Sequence, residues 1–146
     1  MNYSKLSSRY ERTEIATAGK IDLVILCYEK TIQSLRQVIL NYEAKDYAAK
    51  AKAFTRAMNL INELQNSLDC EKGGEIAKNL DSIYSYLTRR LLDADIKKDI
   101  SVFEEGVRIL SELKEAWEGI SSEEDNQPPI NKSSKNITTK LQQIAA

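Results

Sequence analysis

The sequence predicts an all-α protein, an antiparallel up-down-up-down four-helix bundle with an N-terminal arm and a flexible C-terminal tail. Apolar residues recur at spacings of three and four along four successive segments, as on one face of a helix. Helix-breaking residues are few, with 5 glycines and 2 prolines in 146 residues. The links between segments are short, which makes each helix turn back along the one before. We expect an arm over residues 1–18, a bundle over 19–120 and a tail over 121–146.

Helices one and two follow from their apolar stripes. Helix one is predicted from Lys20 to about Ala44, and Asp46 is placed to cap helix two, because an aspartate there accepts a hydrogen bond from a free backbone N–H. The stripe residues are Ile21, Ile25, Tyr28, Ile32, Leu35, Ile39 and Tyr42 in helix one, and Tyr47, Ala51, Phe54, Met58, Ile61, Leu64 and Leu68 in helix two.

Two adjacent glycines precede helix three. We expect Gly73 to take the left-handed conformation that ends a helix and Gly74 to let the chain reverse, so that the pair forms the corner between helices two and three. The third stripe comprises Ile76, Leu80, Ile83, Tyr84, Leu87, Leu91 and Ala94.

Helix four is predicted to open at Asp99 or at a capping box from Ser101 to Glu104. Gly106 falls on its apolar face, where alanine favours a helix by about 1 kcal/mol, so we expect a close helix crossing there. After Ile120 a Ser-rich, charged segment broken by Pro128-Pro129 predicts the flexible tail. The stripe of helix four comprises Phe103, Val107, Leu110, Leu113 and Trp117.

The composition excludes several classes of function. The chain has no histidine, the commonest general base and zinc ligand, and its net charge of −1 does not suit nucleic-acid binding. No apolar run reaches the length of a signal peptide or membrane span, and two cysteines far apart in sequence fit a reducing compartment. We therefore expect a cytoplasmic binding protein that is not an enzyme, needs no cofactor and neither binds nucleic acid nor inserts into membranes.

The helices carry more apolar side chains than a bundle needs. At 100° per residue these extra side chains lie off the stripe or at its margins, and they are the candidate partner-binding residues. Either the chain itself buries them, with Leu6, Tyr10 and Ile15 of the arm folded back over the first helix, or a partner lays apolar segments into grooves between helices. The candidates are Leu23, Leu26, Leu60, Tyr86, Leu92, Ile96 and Ile109.

The most specific stretch of the sequence is LQNSLDCEKGGEIAKNLDSIYSYLTRRLLDADIKKD from Leu64, since a bundle stripe alone does not demand its glycine pair, tyrosines and Arg-Arg. This stretch resembles the centre of the flagellar secretion chaperone family FliS. TAGKIDLVILCYEKTIQSL resembles the start of the family's first helix, and LSELKEAWEGI its fourth. The family's Ser-Pro-Glu-Lys is replaced by Gly19, Lys20, Ile21 and Asp22, so we expect helix one to fray or to begin a residue or two later.

The resemblance implies a cytosolic chaperone that binds the disordered C-terminal segment of newly made flagellin. Such a chaperone prevents premature polymerisation and delivers flagellin to the type III export gate. The resemblance also implies that Tyr10 covers a groove, like the N-terminal tyrosine of the family.

Two other hypotheses remain open from the residues alone. The chain is otherwise a generic helical interaction module, or a dimer formed through the same apolar surplus, unrelated to secretion; a monomer and a weak homodimer both fit the sequence. Alternatively the tail regulates binding, with Ile137, Leu141 and Ile144 occupying a groove until flagellin displaces them.

Overall fold

A computed structural model describes residues 2–124, and the side chains of residues 20–121 among them. Every element within those residues is a helix, which confirms the predicted all-α class. The four helices are α1 (Asn2–Glu43), α2 (Tyr47–Asn66), α3 (Cys70–Lys97) and α4 (Ile100–Glu124). α4 continues through the first four residues of the tail predicted over 121–146, and the rest of that tail, from residue 125 onward, lies outside the described residues.

The helices form the predicted up-down-up-down bundle. The connections at residues 44–46, 67–69 and 98–99 are short. α1 packs closely against α2 and α4, and α3 occupies the opposite corner, where it contacts the same two helices. One end of the bundle is formed by the C-terminal ends of α2 and α4, the start of α3 and the part of α1 near Lys20. We call it the Trp117 end. The largest fully buried side chains are Tyr28, Tyr84, Phe103, Leu35, Ile61, Leu80, Leu87, Leu91, Leu110, Leu113 and Val38.

Two predicted helix caps are confirmed. The Asp46 carboxylate accepts a hydrogen bond from the backbone N–H of Ala49 at 3.1 Å. The Asp99 carboxylate accepts one from the backbone N–H of Ser101 at 3.2 Å, and α4 begins between them at Ile100. Each carboxylate satisfies an N–H that has no partner within its helix.

The glycine pair does not form the corner between α2 and α3, and that prediction is wrong. α2 ends at Asn66, and Asp69 caps α3 by accepting from the N–H groups of Glu71 and Lys72, so the next helix has begun before the glycines are reached. Gly74 is the residue with left-handed backbone, at φ +55°, and it kinks the first turns of α3. Gly73 packs closely instead: a Cβ there would lie 2.7 Å from the Cβ of Ala77.

The close crossing predicted at Gly106 is present. Gly106 is buried, and a Cβ at this position would lie 3.3 Å from Cδ1 of Leu35 and 3.4 Å from Cδ2 of Leu91. The absent side chain therefore lets α4 approach leucines of both α1 and α3.

The first turn of α2 departs from its predicted stripe. Tyr47 is 47 % exposed, and Ala51 is exposed as well, whereas Ala57 is fully buried. Tyr47 lies at the end of the bundle, where its ring packs edge-on against Tyr42 and the ammonium of Lys98 lies 5.1 Å from its centroid. A helix that starts at the edge of a bundle has no neighbour to bury its first turn.

α1 begins at Asn2 and not at Lys20 or later, so the expected start of helix one is wrong. The serine cap and first-turn proline of the family's Ser-Pro-Glu-Lys are absent, and with them the signals that start a new helix at this point. Since no turn separates residues 2–18 from the rest of α1, folding the arm back over Leu23 and Leu26 requires a break in the helix. The side chain of Tyr10 lies outside the described residues.

Candidate functional site

An apolar groove runs between α1 and α2 at the Trp117 end, and we call it the α1–α2 groove. It has a volume of about 350 Å³. Leu23 and Leu26 line it and are only half-buried, so the surplus predicted on the first turns of the bundle is real. The groove is lined by Lys20, Leu23, Val24, Leu26, Cys27, Lys30, Glu63, Leu64 and Ser67.

The geometry of α1 explains why this groove stays open. Tyr28 and Leu35 lie on the face of α1 that packs into the core, and both are fully buried. Leu23 and Leu26 are displaced from that stripe around the helix, because each residue adds about 100°. They therefore lie at the side of α1 that borders α2, over a seam that the two helices do not close.

Leu60 is brought to the same side of the bundle. The Cys27 thiol donates to the backbone carbonyl of Leu60 across the α1–α2 seam, at 3.8 Å. The Leu60 side chain is half-buried, as are Leu23 and Leu26. The backbone of Leu60 thus borders the seam that Leu23 and Leu26 line, although Leu60 is not among the residues that line the groove itself.

A second opening of about 300 Å³ adjoins the groove and shares Val24, Leu64 and Ser67 with it. We call it the end opening, because it enters the core between the helix ends at the Trp117 end. Its wall includes Trp117 from α4 and reaches the buried Tyr84. Gly73 and Ile76 from the start of α3 complete the rim, so the glycine kink borders this opening.

Tyr28 and Tyr84 form a buried polar pair below the end opening. Their hydroxyls are hydrogen-bonded to each other, which joins α1 to α3 across the bundle. Burial raises the pKa of Tyr28 to about 12 and raises that of Tyr84 well above its usual value, so both are neutral at any physiological pH. The pair contributes fixed polarity and no acid–base chemistry.

Leu92 and Ile96 form a second exposed apolar patch, on α3. They lie one turn apart and are 46 % and 82 % exposed. The α2 residue Gln65 donates to Ser85 at 2.9 Å and to Asp81 at 2.8 Å. Successive steps of about 100° place Leu92 and Ile96 on the same side of α3 as Ser85, so the patch borders α2.

Tyr86 lies on the other edge of α3, beside α4. It is 40 % exposed, and its hydroxyl donates to the Glu105 carboxylate at 2.9 Å. Arg90 donates to the same carboxylate at 3.2 Å. The hydrogen bond from Tyr86, with the help of Arg90 and against partial burial, holds the pKa of Glu105 below its usual value. Tyr86 is therefore separated from the Leu92–Ile96 patch and sits in a polar surrounding.

The last candidate with a described side chain, Ile109, contributes little exposed surface. Ile109 is 7 % exposed and belongs to the core cluster, so its side chain is not displayed on the described surface. Lys20, Lys30 and Glu63 border the groove and Leu40 is 56 % exposed, and none of the four is among the predicted site residues. Lys20 lies three residues before Leu23 and Lys30 four residues after Leu26, and this helical spacing is the sequence signal for the groove margin. Leu40 is a single leucine on a polar face, so the sequence carries no signal for it.

The described residues contain no helix that is long and apolar enough to cross a membrane.

Comparison with known proteins decides the family. The model of the family described as flagellar protein FliS matches residues 2–124. The chain belongs to the FliS family. Among its relatives, the flagellar secretion chaperone FliS of Salmonella typhimurium is 39 % identical over 108 residues, covering 73 % of this chain and 80 % of that protein. FliSB of Pseudomonas aeruginosa is 32 % identical over 74 % of this chain and 86 % of its own length.

The Escherichia coli flagellar secretion chaperone FliS is 31 % identical over 104 residues, which cover 70 % of this chain and 76 % of that protein. The resemblance seen in the sequence is confirmed. The curated FliS relatives are chaperones and not enzymes, which agrees with the class expected from composition. The FliS match ends at Glu124, the last residue of α4.

Proposed function

We propose that this protein is a cytosolic export chaperone that binds the disordered C-terminal segment of flagellin. By holding that segment it prevents premature polymerisation and delivers flagellin to the flagellar type III export gate. Membership of the FliS family supports the general role. The observation that supports guest binding is the α1–α2 groove, an apolar cleft of about 350 Å³ that the described bundle leaves open.

The groove suits an amphipathic helix. Leu23 and Leu26 offer apolar contacts along the seam, and Lys20 and Lys30 at the margin suit the polar face of a guest. A segment that is disordered on its own gains order when it buries its apolar face there. While it is held, that face is unavailable to other flagellin molecules, so binding and the prevention of polymerisation are the same event.

The Leu92–Ile96 patch supplies a second contact for the same guest. α2 separates the patch from the α1–α2 groove, so a guest that crosses α2 reaches both surfaces. Burying a leucine-sized side chain contributes about 1.5–3 kcal/mol before ordering costs. Four such anchors shared between the two surfaces are enough for micromolar or tighter affinity.

Calorimetric titration of the full chain with a flagellin C-terminal peptide tests the proposal. In the variant Leu23→Ser/Leu26→Ser we expect affinity to fall at least about ten-fold, since each lost contact is worth more than the roughly 1.4 kcal/mol that equals a factor of ten. Leu40→Ser is the matched control, because it removes an exposed leucine of the same helix that lies 14 residues, or about 21 Å, beyond Leu26 and does not line the groove.

A thermal melt of each variant establishes that the bundle is intact. Wild-type affinity in the folded groove variant would remove the α1–α2 groove from the binding site. A parallel loss in Leu40→Ser would show that the effect is not specific to the groove.

A further inference from the structure

The α1–α2 groove lies close to a segment that could fill it. No described residue fills the groove, yet Leu23, Leu26 and the Cys27 side chain along it are only half-buried. Residues 125–146 follow α4 and lie beyond the part of the chain that matches the FliS family model. An apolar surface of this kind is covered in most proteins by another part of the chain or by a partner.

The tail starts at the right end of the molecule. α4 finishes at Glu124, and just before that the Ser121 hydroxyl donates to the Asp22 carboxylate at 3.2 Å. The chain therefore leaves α4 beside the first turns of α1 that line the groove. Residues 125–136 span up to about 40 Å when extended, whereas neighbouring helix axes lie about 8–10 Å apart. The linker is long enough to pass the end opening and reach the groove.

The tail also carries a suitable apolar face. Ile137, Leu141 and Ile144 have the four- and three-residue spacing that aligns side chains on one side of a helix. Thr139, Gln142 and Gln143 fall elsewhere around it. So short a helix is unstable alone in water, and contact with an apolar groove supplies the stabilisation that it lacks.

We infer that residues 137–144 dock as a short helix in the α1–α2 groove of the guest-free protein, with Ile137, Leu141 and Ile144 against Leu23 and Leu26. The arm is the less suitable occupant, because α1 is continuous from Asn2 and the arm reaches the groove only if that helix breaks. The groove margin carries Lys20, Lys30 and Glu63 and the tail helix carries Lys140, so apolar contact and not charge holds the tail.

A tethered tail needs only weak intrinsic affinity. Short flexible linkers give effective concentrations of about 1 mM. A contact with an intrinsic dissociation constant of roughly 100 μM is then occupied about nine-tenths of the time. The tail thus excludes weak, non-specific peptides and yields to a guest that makes more contacts.

Thiol labelling of the full chain reads the groove directly. Cys27 lines the groove, and Cys70 is exposed at the start of α3 and serves as the internal standard. The test variant is Ile137→Ser/Leu141→Ser/Ile144→Ser, and the matched control is Thr139→Ser/Gln142→Ser/Gln143→Ser. Mass spectrometry of the peptides follows reaction with a small thiol reagent. We expect Cys27 to react about ten-fold faster in the test variant and unchanged in the control.

Equal Cys27 rates in the test variant and the wild type would overturn the inference. Emission of Trp117, the only tryptophan, is recorded in the same samples because Trp117 lines the end opening. A change in emission without a change in the Cys27 rate would put the tail in the end opening and overturn its assignment to the groove. A faster Cys27 rate on deletion of residues 2–18, with no effect of the tail variant, would assign the groove to the arm.

The inference depends on the proposed function only for the identity of the competing guest. The labelling assay contains no flagellin, so it succeeds or fails independently of guest binding. If the tail docks in the groove and the groove binds flagellin, the test variant binds the flagellin peptide about ten-fold more tightly than wild type, because the tail no longer occupies the groove.

Discussion

The hydroxyls of Tyr28 and Tyr84 meet in the interior of the bundle and link α1 to α3. Each is almost fully buried, and each provides the partner that the other needs. The periodicity of α1 and α3 predicted both residues in the core. It did not predict their pairing, because a helical stripe tells which side faces inward but not which residues of two helices stand at the same height.

The buried pair makes stability fall at alkaline pH. The pKa of Tyr28 rises from 10.0 to about 12 on folding. A raised pKa means that the folded state keeps a proton that the unfolded state loses, so this stability is complete below pH 10 and declines as pH rises towards 12. We expect the free energy of unfolding to fall by about 1.4 kcal/mol per pH unit for each such tyrosine in that window. Urea titrations between pH 9 and pH 11.5 measure the slope.

The variant Tyr28→Phe/Tyr84→Phe is the control for this slope. It removes both titrating groups without leaving a buried hydroxyl unpaired, so its stability depends less on pH. Tyr28→Phe alone leaves the Tyr84 hydroxyl without its partner and costs about 1–3 kcal/mol at pH 8. An unchanged alkaline slope in the double variant would show that other groups cause the decline.

Within the helices, we expect substitution of glycine by alanine to have opposite effects on stability at Gly74 and at Gly119. Gly74 has φ +55° and ψ −133°, a backbone conformation that strains an alanine by about 1–3 kcal/mol, although its Cβ would meet no atom within 4 Å. Gly119 lies in α4 with open space around it, so alanine there favours the helix by about 0.5–1 kcal/mol. We expect Gly74→Ala to lower and Gly119→Ala to raise the midpoint of chemical unfolding; a stabilised Gly74→Ala would contradict the kink in α3.

Charge substitutions on the exposed side of α3 test the Leu92–Ile96 patch. Leu92→Asp and Ile96→Asp leave the core intact because both side chains are exposed, yet they place charge on the patch beside α2. We expect the affinity for a flagellin C-terminal peptide to fall at least several-fold in each variant, measured by fluorescence anisotropy. Leu40→Asp places the same charge on an exposed leucine of α1, outside the patch, and is the control that keeps its affinity. Unchanged affinity in both α3 variants would remove this patch from the site.

The ends of the helices show how far sequence predicts an element. Asp46 and Asp99 were predicted as caps because their chemistry is local and a single residue suffices. The Gly73–Gly74 corner was predicted wrongly because Asp69, also a good cap, begins α3 earlier, and local sequence does not rank two competing signals. Tyr47 was placed in the core since its spacing fits, but the position of the bundle's edge depends on neighbouring helices.

For the whole molecule, the stripes and the short connections were enough to predict the bundle and its topology. They also predicted an apolar surplus on α1 and α3. That Leu23, Leu26 and Leu60 share one seam depends on how α1 and α2 pack, which one helix at a time does not reveal. Ile109 also shows that one helix alone does not reveal how its neighbours pack. It lies at the margin of its own stripe, but the neighbouring helices bury it.

A bundle that keeps an apolar groove for a guest polypeptide forms a one-to-one complex with that guest. Light scattering coupled to size-exclusion chromatography, with and without a flagellin C-terminal segment, measures this. We expect a particle that gains the mass of one segment per chain, with any weak dimer of the free protein giving way to that one-to-one complex. A stable dimer whose mass does not change when the segment is added would contradict it and favour a helical module that binds only itself.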